Sequence, residues 1–168
     1  NIGPLGQKKI IQSKVLIIGM GGLGCPVAEF LTRAGVGSLG IVDFDKVDLS
    51  NIHRQSLYDI DDIKKSKVIA AKEKLNRINS QTKVNSYNLR LNKKNQNRIL
   101  NNYEYIVDGS DNFETKLLIN DFCKKNKKFL VVGAISKFDG QIFTFDFKNK
   151  NTPCIRSFYQ ENTLSDDI

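Results

Sequence analysis

"KVLIIGMGGLG" (Lys14–Gly24) is the stretch from which the fold can be read. Its first half is a short apolar run rich in β-branched residues, the pattern of a buried strand. The second half places Gly19, Gly21 and Gly24 in a G-x-G-x-x-G spacing. An apolar stretch follows from Leu23 to Ala34, with Val27, Phe30, Leu31 and Ala34 at helical spacing. Pro26 suits the first turn of that helix, and Gly35 and Gly37 suit its end. "LGIVDFD" (Leu39–Asp45) then reads as a second buried strand. Strand, glycine turn, helix and strand make a βαβ unit, whose crossover is right-handed.

The pattern continues downstream. A polar linker runs from Lys46 to Lys65, long for a connection of this kind, and long ordered loops tend to be functional. "SKVIAAKEKLNRI" (Ser66–Ile78) is an amphipathic helix with Val68, Ala71, Leu75 and Ile78 on one face. "TKVNSYN" is a half-buried strand and "KKNQNRILNN" a weak helix. A buried strand at Tyr105–Asp108 stops in the polar turn "DGSDN". "ETKLLINDFCKKN" is a helix and "FLVVGAI" a strand. After Ser136 the period becomes two, and Asp139-Gly140 offers hairpin-turn chemistry. The expected fold class is therefore α/β: a Rossmann-like, doubly wound, mostly parallel sheet with antiparallel strands toward the C-terminus.

Composition bounds the rest. The 168 residues suit a single core. At 40% hydrophobic and 26% charged, the balance is that of a globular domain. No run of about 20 apolar residues is present to span a bilayer. The three cysteines (Cys25, Cys123, Cys154) form no CxxC pair, so a disulfide framework is not expected and a cytoplasmic setting is. The net charge of +8 raises the question of nucleic acid. But lysines outnumber arginines twenty to six and lie in scattered pairs, which reads as a solvated surface.

In an open parallel sheet, ligands bind at the carboxyl ends of the strands where strand order reverses. With an order 3-2-1-4-5, the glycine turn, "DFD" and "DGSDN" meet at that point. Glycines at a helix N-terminus let backbone N–H groups approach phosphate. The turn alone does not separate NAD, FAD and ATP. Asp43 ends the second strand, where a carboxylate can accept hydrogen bonds from ribose hydroxyls. Asp45 is open to either reading, because Phe44 between them implies alternating faces. Arg54 offers a planar fork for phosphate and Lys67 a point charge. Asp111 either holds Mg²⁺ through one carboxylate or caps the helix that begins near Phe113. Two cations and one such carboxylate near a glycine turn suit a triphosphate better than a dinucleotide.

At these residues the sequence resembles the ThiF/MoeB/HesA family, relatives of the ubiquitin-activating enzymes. The resemblance rests on the stretch from "VLIIGMGGLG" through "VDFDKVDLSNIHRQSLY", then "KKSKVIAAKEKLNRINS", "DGSDNFETKLLIN", and "GQIFTF" before "PCIR". It covers Leu5 to Arg156, and the "DFDxVxLSNxxRQ" string is far more specific than the glycine turn. The resemblance implies a nucleotide-binding adenylation domain that uses ATP and Mg²⁺. It adenylates the C-terminal glycine of a ubiquitin-like sulfur carrier (ThiS-like or MoaD-like) in thiamine or molybdopterin biosynthesis. It also implies that Gly22 approaches the nucleotide and Asp43 the ribose. Ser50 to Arg54 line the site, with Asn51 and Arg54 near the phosphates. Lys67 contacts phosphate, and Asp111 binds Mg²⁺ or aligns the attack, with Asn112 beside it. A homodimer is implied by the same likeness.

The sequence also departs from the family. Many members carry "PCxRC" and a later CxxC, together a Zn²⁺ site. Here Ser157 stands where the second cysteine would be, Cys154 lacks a partner, and no zinc site is expected. His53, the only histidine, is expected at the rim rather than as a base. The N-terminal arginine segment and the C-terminal parts of the family's full chain are expected to lie outside residues 1–168. Three competing readings remain: an NAD- or FAD-linked oxidoreductase, a related ATP-dependent enzyme acting on tRNA, and an inactive interaction module.

Overall fold

The computed structural model describes residues 2–159. Its six strands are β1 (Lys14–Ile18), β2 (Ser38–Asp43), β3 (Lys83–Asn88), β4 (Tyr105–Asp108), β5 (Phe129–Ser136) and β6 (Asp139–Asp146). They form one sheet in the order β3-β2-β1-β4-β5-β6. The pairs up to β4–β5 are parallel, and β5–β6 is antiparallel. The expected class and the central order both stand. The reversal of order falls at β1, between β2 and β4, with the glycine turn at its end.

Among the described residues five α-helices accompany the sheet: α1 (Gly3–Gln12), α2 (Gly24–Arg33), α3 (Lys67–Ile78), α4 (Gln96–Leu100) and α5 (Phe113–Lys125). They cover two faces, and β1 feeds both. Leu16 and Ile18 join a cluster with Ile119 and Phe122 of α5. Val15 and Ile17 join another with Ala28 of α2 and Leu75 of α3. A strand buried on both sides has no polar alternation, which is why "VLII" is uniformly apolar. No helix among the described residues is long and apolar enough to cross a membrane.

Two local expectations need correction, and one helix went unread. Phe30 does not face the core: it is exposed, and the buried stripe of α2 is Cys25, Ala28 and Thr32. These residues are small because α2 starts against the glycine turn. A Cβ at Gly24 would lie 1.8 Å from the Gly19 carbonyl oxygen. The hairpin turn is Lys137-Phe138, not Asp139-Gly140, since Ser136 pairs with Asp139. Lys137 takes the left-handed conformation (φ 53°) that the turn demands, a role usually given to Gly or Asn. Finally, α1 had no sequence signal: it contains two glycines and buries no residue. Gln7 Nε2 ties it to the end of α2 by donating to the Ala34 carbonyl at 3.0 Å.

The polar linker is ordered and closed on itself. Its ends meet in a bridge between Lys46 and Ser66. The Val47 N–H donates to the Lys65 carbonyl, and the Lys64 N–H to that of Val47, both at 2.9 Å. Within the loop a short turn, Ile60–Asp62, is fixed by reciprocal bonds between Asp59 and Asp62. Asp62 is buried and is neutralised by Lys65 (3.1 Å) and Lys74 (3.2 Å). Lys74 also bonds to Asp59.

Candidate nucleotide site

A cavity of about 490 Å³ opens at the carboxyl ends of β1, β2 and β4. That is within the range of small-molecule sites. Its construction begins with Gly19. At φ +87° this residue turns the chain out of β1, and a side chain there would press within 2.7 Å of the Gly109 carbonyl. The two strand-end turns are thus packed against each other, a spacing only glycine permits.

The glycine turn is then held from both sides. The Met20 N–H donates to Asp43 Oδ2 at 2.7 Å, and the Asp45 N–H donates to Asp43 Oδ1 at 2.8 Å. Behind it, the buried Tyr58 hydroxyl reaches the Met20 carbonyl at 3.0 Å and Cys25 Sγ reaches it at 3.4 Å. Burial pushes the Cys25 thiol up to about 11, so this sulfur is a packed, neutral group at neutral pH. Cys123 is pushed up to about 12 by the same cause. At Cys154 burial works in the same sense, but the Arg156 amide, the Ser157 hydroxyl and Lys124 prevail and hold the thiol below its ordinary value.

The linker supplies the cationic wall. Asn51 Oδ1 accepts from Arg54 Nη2 at 2.9 Å and from Gln55 Nε2 at 3.0 Å. This orients the Arg54 fork, whose stem passes 3.6 Å from where a Gly22 side chain would begin. Lys67 is 7% exposed, and its Nζ pairs with Asp45 Oδ2 at 3.1 Å. Because β2 ends at Asp43, the strict alternation assumed for Phe44 and Asp45 does not apply, and both line the cavity. At the far wall, Asn112 caps α5 by accepting the Thr115 N–H at 2.9 Å. The cap, one of the two readings left open for Asp111, is filled by its neighbour, and Asp111 lines the cavity as an exposed carboxylate.

Most predicted residues converge. Gly19, Gly21, Gly22 and Asp43 line one side, and Asp45, Asn51, Arg54 and Lys67 another. Asp111 and Asn112 close the third. Gly24 and Ser50 do not line it. Gly24 serves the helix–turn contact, and the Ser50 hydroxyl donates to Asp48 at 2.5 Å. His53 is exposed and also outside the lining. Sequence reasoning missed Gln55, Arg90 and Lys116. Lys116 carried a usable signal: it sits on the buried stripe of α5 with Ile119, Asn120 and Cys123, where a lysine must find a partner. Arg90, whose guanidinium lies 5.5 Å from the Phe44 ring centre, lines the cavity together with that ring.

The donor set fits a polyanion. Four basic side chains, Arg54, Lys67, Arg90 and Lys116, and a glycine turn leading into a helix N-terminus border one space. Among the described residues no group of three or more His, Cys, Asp or Glu is placed to hold a metal ion. A cation bound here would need oxygens from the ligand besides Asp111.

The model of the ThiF family matches residues 1–167. The chain belongs to the ThiF family. This ThiF-family chain is 40% identical over 161 residues to a sulfur carrier protein adenylyltransferase of Thermus thermophilus, covering 94% of the chain and 59% of that protein. It is 42% identical to the adenylyltransferase and sulfurtransferase MOCS3 of Dictyostelium discoideum, covering 95% of the chain and 37% of that protein. A probable molybdopterin-synthase adenylyltransferase of Porphyra purpurea is 41% identical, with 92% and 40% covered. The chain thus spans about two- to three-fifths of the length of these relatives. Among solved structures, the E. coli tRNA N6-threonylcarbamoyladenosine dehydratase TcdA in complex with ATP superposes with a TM-score of 0.78 at 26% identity, covering 82% of this chain and 58% of that one. E. coli MccB superposes at 0.83 with 24% identity, covering 93% and 46%, and supports the fold alone.

Proposed function

We propose that this chain is the nucleotide-binding adenylation unit of an enzyme that activates the C-terminal glycine carboxylate of a ubiquitin-like sulfur-carrier protein with ATP. One observation carries the reading: Arg54, Lys67 and Asp111 share a single cavity with the glycine turn. A dinucleotide would leave these three without a purpose. The names of the relatives at about 40% identity support the carrier as substrate, and the ATP complex of TcdA supports the nucleotide.

The chemistry asks little of a base. The carrier's carboxylate is already ionised, and its oxygen attacks the α-phosphorus while pyrophosphate departs. Arg54 and Lys67 neutralise phosphate charge as it moves onto the leaving group, and the glycine-turn amides hold the phosphates in place. The Asp43 carboxylate keeps lone pairs free for ribose hydroxyls after accepting its two backbone bonds. Asp111 is the residue that would hold Mg²⁺, and the ion would supply positive charge against the phosphates. A homodimer in the cytosol completes the proposal, by likeness to the family.

Carrier-dependent ATP–pyrophosphate exchange tests it, with ThiS-like and MoaD-like proteins ending in glycine. Preference for NADH over ATP in direct titration would favour the oxidoreductase reading. Salt-sensitive tRNA binding without carrier-dependent exchange would favour a tRNA-directed enzyme, the activity named for TcdA.

A further inference from the structure

Beneath the Asp111 turn lies a buried charge pair. Asp108, the last residue of β4, is 0% exposed. Its Oδ1 accepts the Ser110 N–H at 2.9 Å and the Ser110 hydroxyl at 2.6 Å. Its Oδ2 is buried without a hydrogen-bond partner and has the Lys116 ammonium 3.5 Å away. Lys116 is itself 6% exposed, and its Nζ donates to the Gly133 carbonyl at 2.9 Å. One ammonium therefore joins the end of β4, the first turn of α5 and the middle of β5. Ser110 and Lys116 both border the cavity.

Such a pair is not a cheap way to fill a core. Removing two charges from water is costly, and apolar side chains of the same size commonly serve stability as well or better. Burial raises the pKa of Asp108, and Lys116 is the strongest influence against it, followed by Ser110. What the pair supplies that an apolar pair cannot is direction. Asp108 folds the turn by holding Ser110, while Asn112 anchors the other side through the Thr115 amide. Asp111 stands between these two anchors. Its own carboxylate receives only a long bond, 3.4 Å, from Asn112 Nδ2.

We propose that Asp108 and Lys116 are positioning residues that aim the Asp111 carboxylate at the cation of bound Mg·ATP. In this role the pair acts through the turn rather than by contact with phosphate or metal. The proposal rests on the nucleotide reading above.

A double-mutant cycle on nucleotide affinity tests it without any carrier. ATP is titrated calorimetrically with and without Mg²⁺ into the wild-type chain, Asp111→Ala, Lys116→Met and the double variant, with thermal melts as a folding control. Lys116→Met is expected to weaken Mg·ATP binding by about tenfold, as loss of an outer-shell partner does, and metal-free ATP by less than about twofold. In the Asp111→Ala background the same change should add less than about twofold, the non-additivity of coupled residues. Lys116→Arg, which keeps the charge, should restore affinity to within about threefold. Should Lys116→Met fail to fold, Asp108→Asn carries the same cycle, since it keeps an acceptor for Ser110 but removes the charge. Wild-type Mg·ATP affinity in a folded variant, or the full loss persisting beside Asp111→Ala, overturns the positioning role alone. Absence of Mg·ATP binding by the wild-type chain overturns the nucleotide reading as well.

Discussion

Asp43 works for the fold before any ligand arrives. Both of its oxygens accept backbone N–H groups, one from the glycine turn and one from its own strand end. Asp43→Asn would present an amide NH₂ to one of those donors. We predict a loss of about 1–3 kcal/mol of stability in urea melts, together with weaker nucleotide binding. Unchanged stability would mean that the turn is held by other contacts. Lys67 makes the complementary case. It is buried against Asp45, and its proposed role is phosphate. Lys67→Ala should weaken ATP binding by about 10–100-fold, the worth of one charged hydrogen bond, while leaving metal-free folding intact. The signals for these residues were legible for different reasons. Asp43 follows from strand logic alone, whereas Arg54 and Lys67 were candidates by their charge and by the family resemblance, and the linker's closure brings them to the cavity. Asp111 was ambiguous because Asp and Asn both cap helices, and only the observed bond from Thr115 to Asn112 assigns the cap.

At the level of elements, helix α2 is positioned by what its first residue lacks. Gly24→Ala places a methyl 1.8 Å from the Gly19 oxygen, so either the helix or the turn must shift. A cost of about 1–3 kcal/mol or more follows from overpacking, read as a fall in Tm of several degrees. The linker owes its closure partly to Asp62. Burial alone would raise this carboxyl, but Lys65, the Asp59 amide and Lys74 together hold it below the usual range. Its stabilisation is thus present above the unfolded carboxylate value of about 4 and is lost as pH falls through the lower folded value. The stability gap between wild type and Asp62→Asn should therefore be widest near neutrality and narrow in acid. A gap that does not change with pH would contradict the ion-pair account. The strands were legible because burial on both faces leaves uniform apolar runs. The stripe of α2 was misread because close packing selects small residues there, and large Phe30 is turned outward. The hairpin was misplaced because Lys137 takes a conformation that the sequence advertises at Asp139-Gly140 instead. Helix α1 was hard to see because none of its residues is fully buried, although Ile10 packs partly buried against the core.

For the molecule as a whole, topology does most of the functional work. The order β3-β2-β1-β4 brings loops from distant parts of the sequence to one crevice, and no side chain there needs unusual basicity. The scattered lysines have no part in that crevice beyond Lys67 and Lys116. The central claim is that this crevice transfers adenylate to a carrier's carboxylate. The most direct test is exchange of labelled pyrophosphate into ATP, measured with and without a glycine-terminated ubiquitin-like carrier. The account predicts exchange that requires the carrier and Mg²⁺ and is abolished by Asp111→Ala in a folded chain. Exchange that proceeds equally without the carrier, or at the wild-type rate in Asp111→Ala, would contradict it.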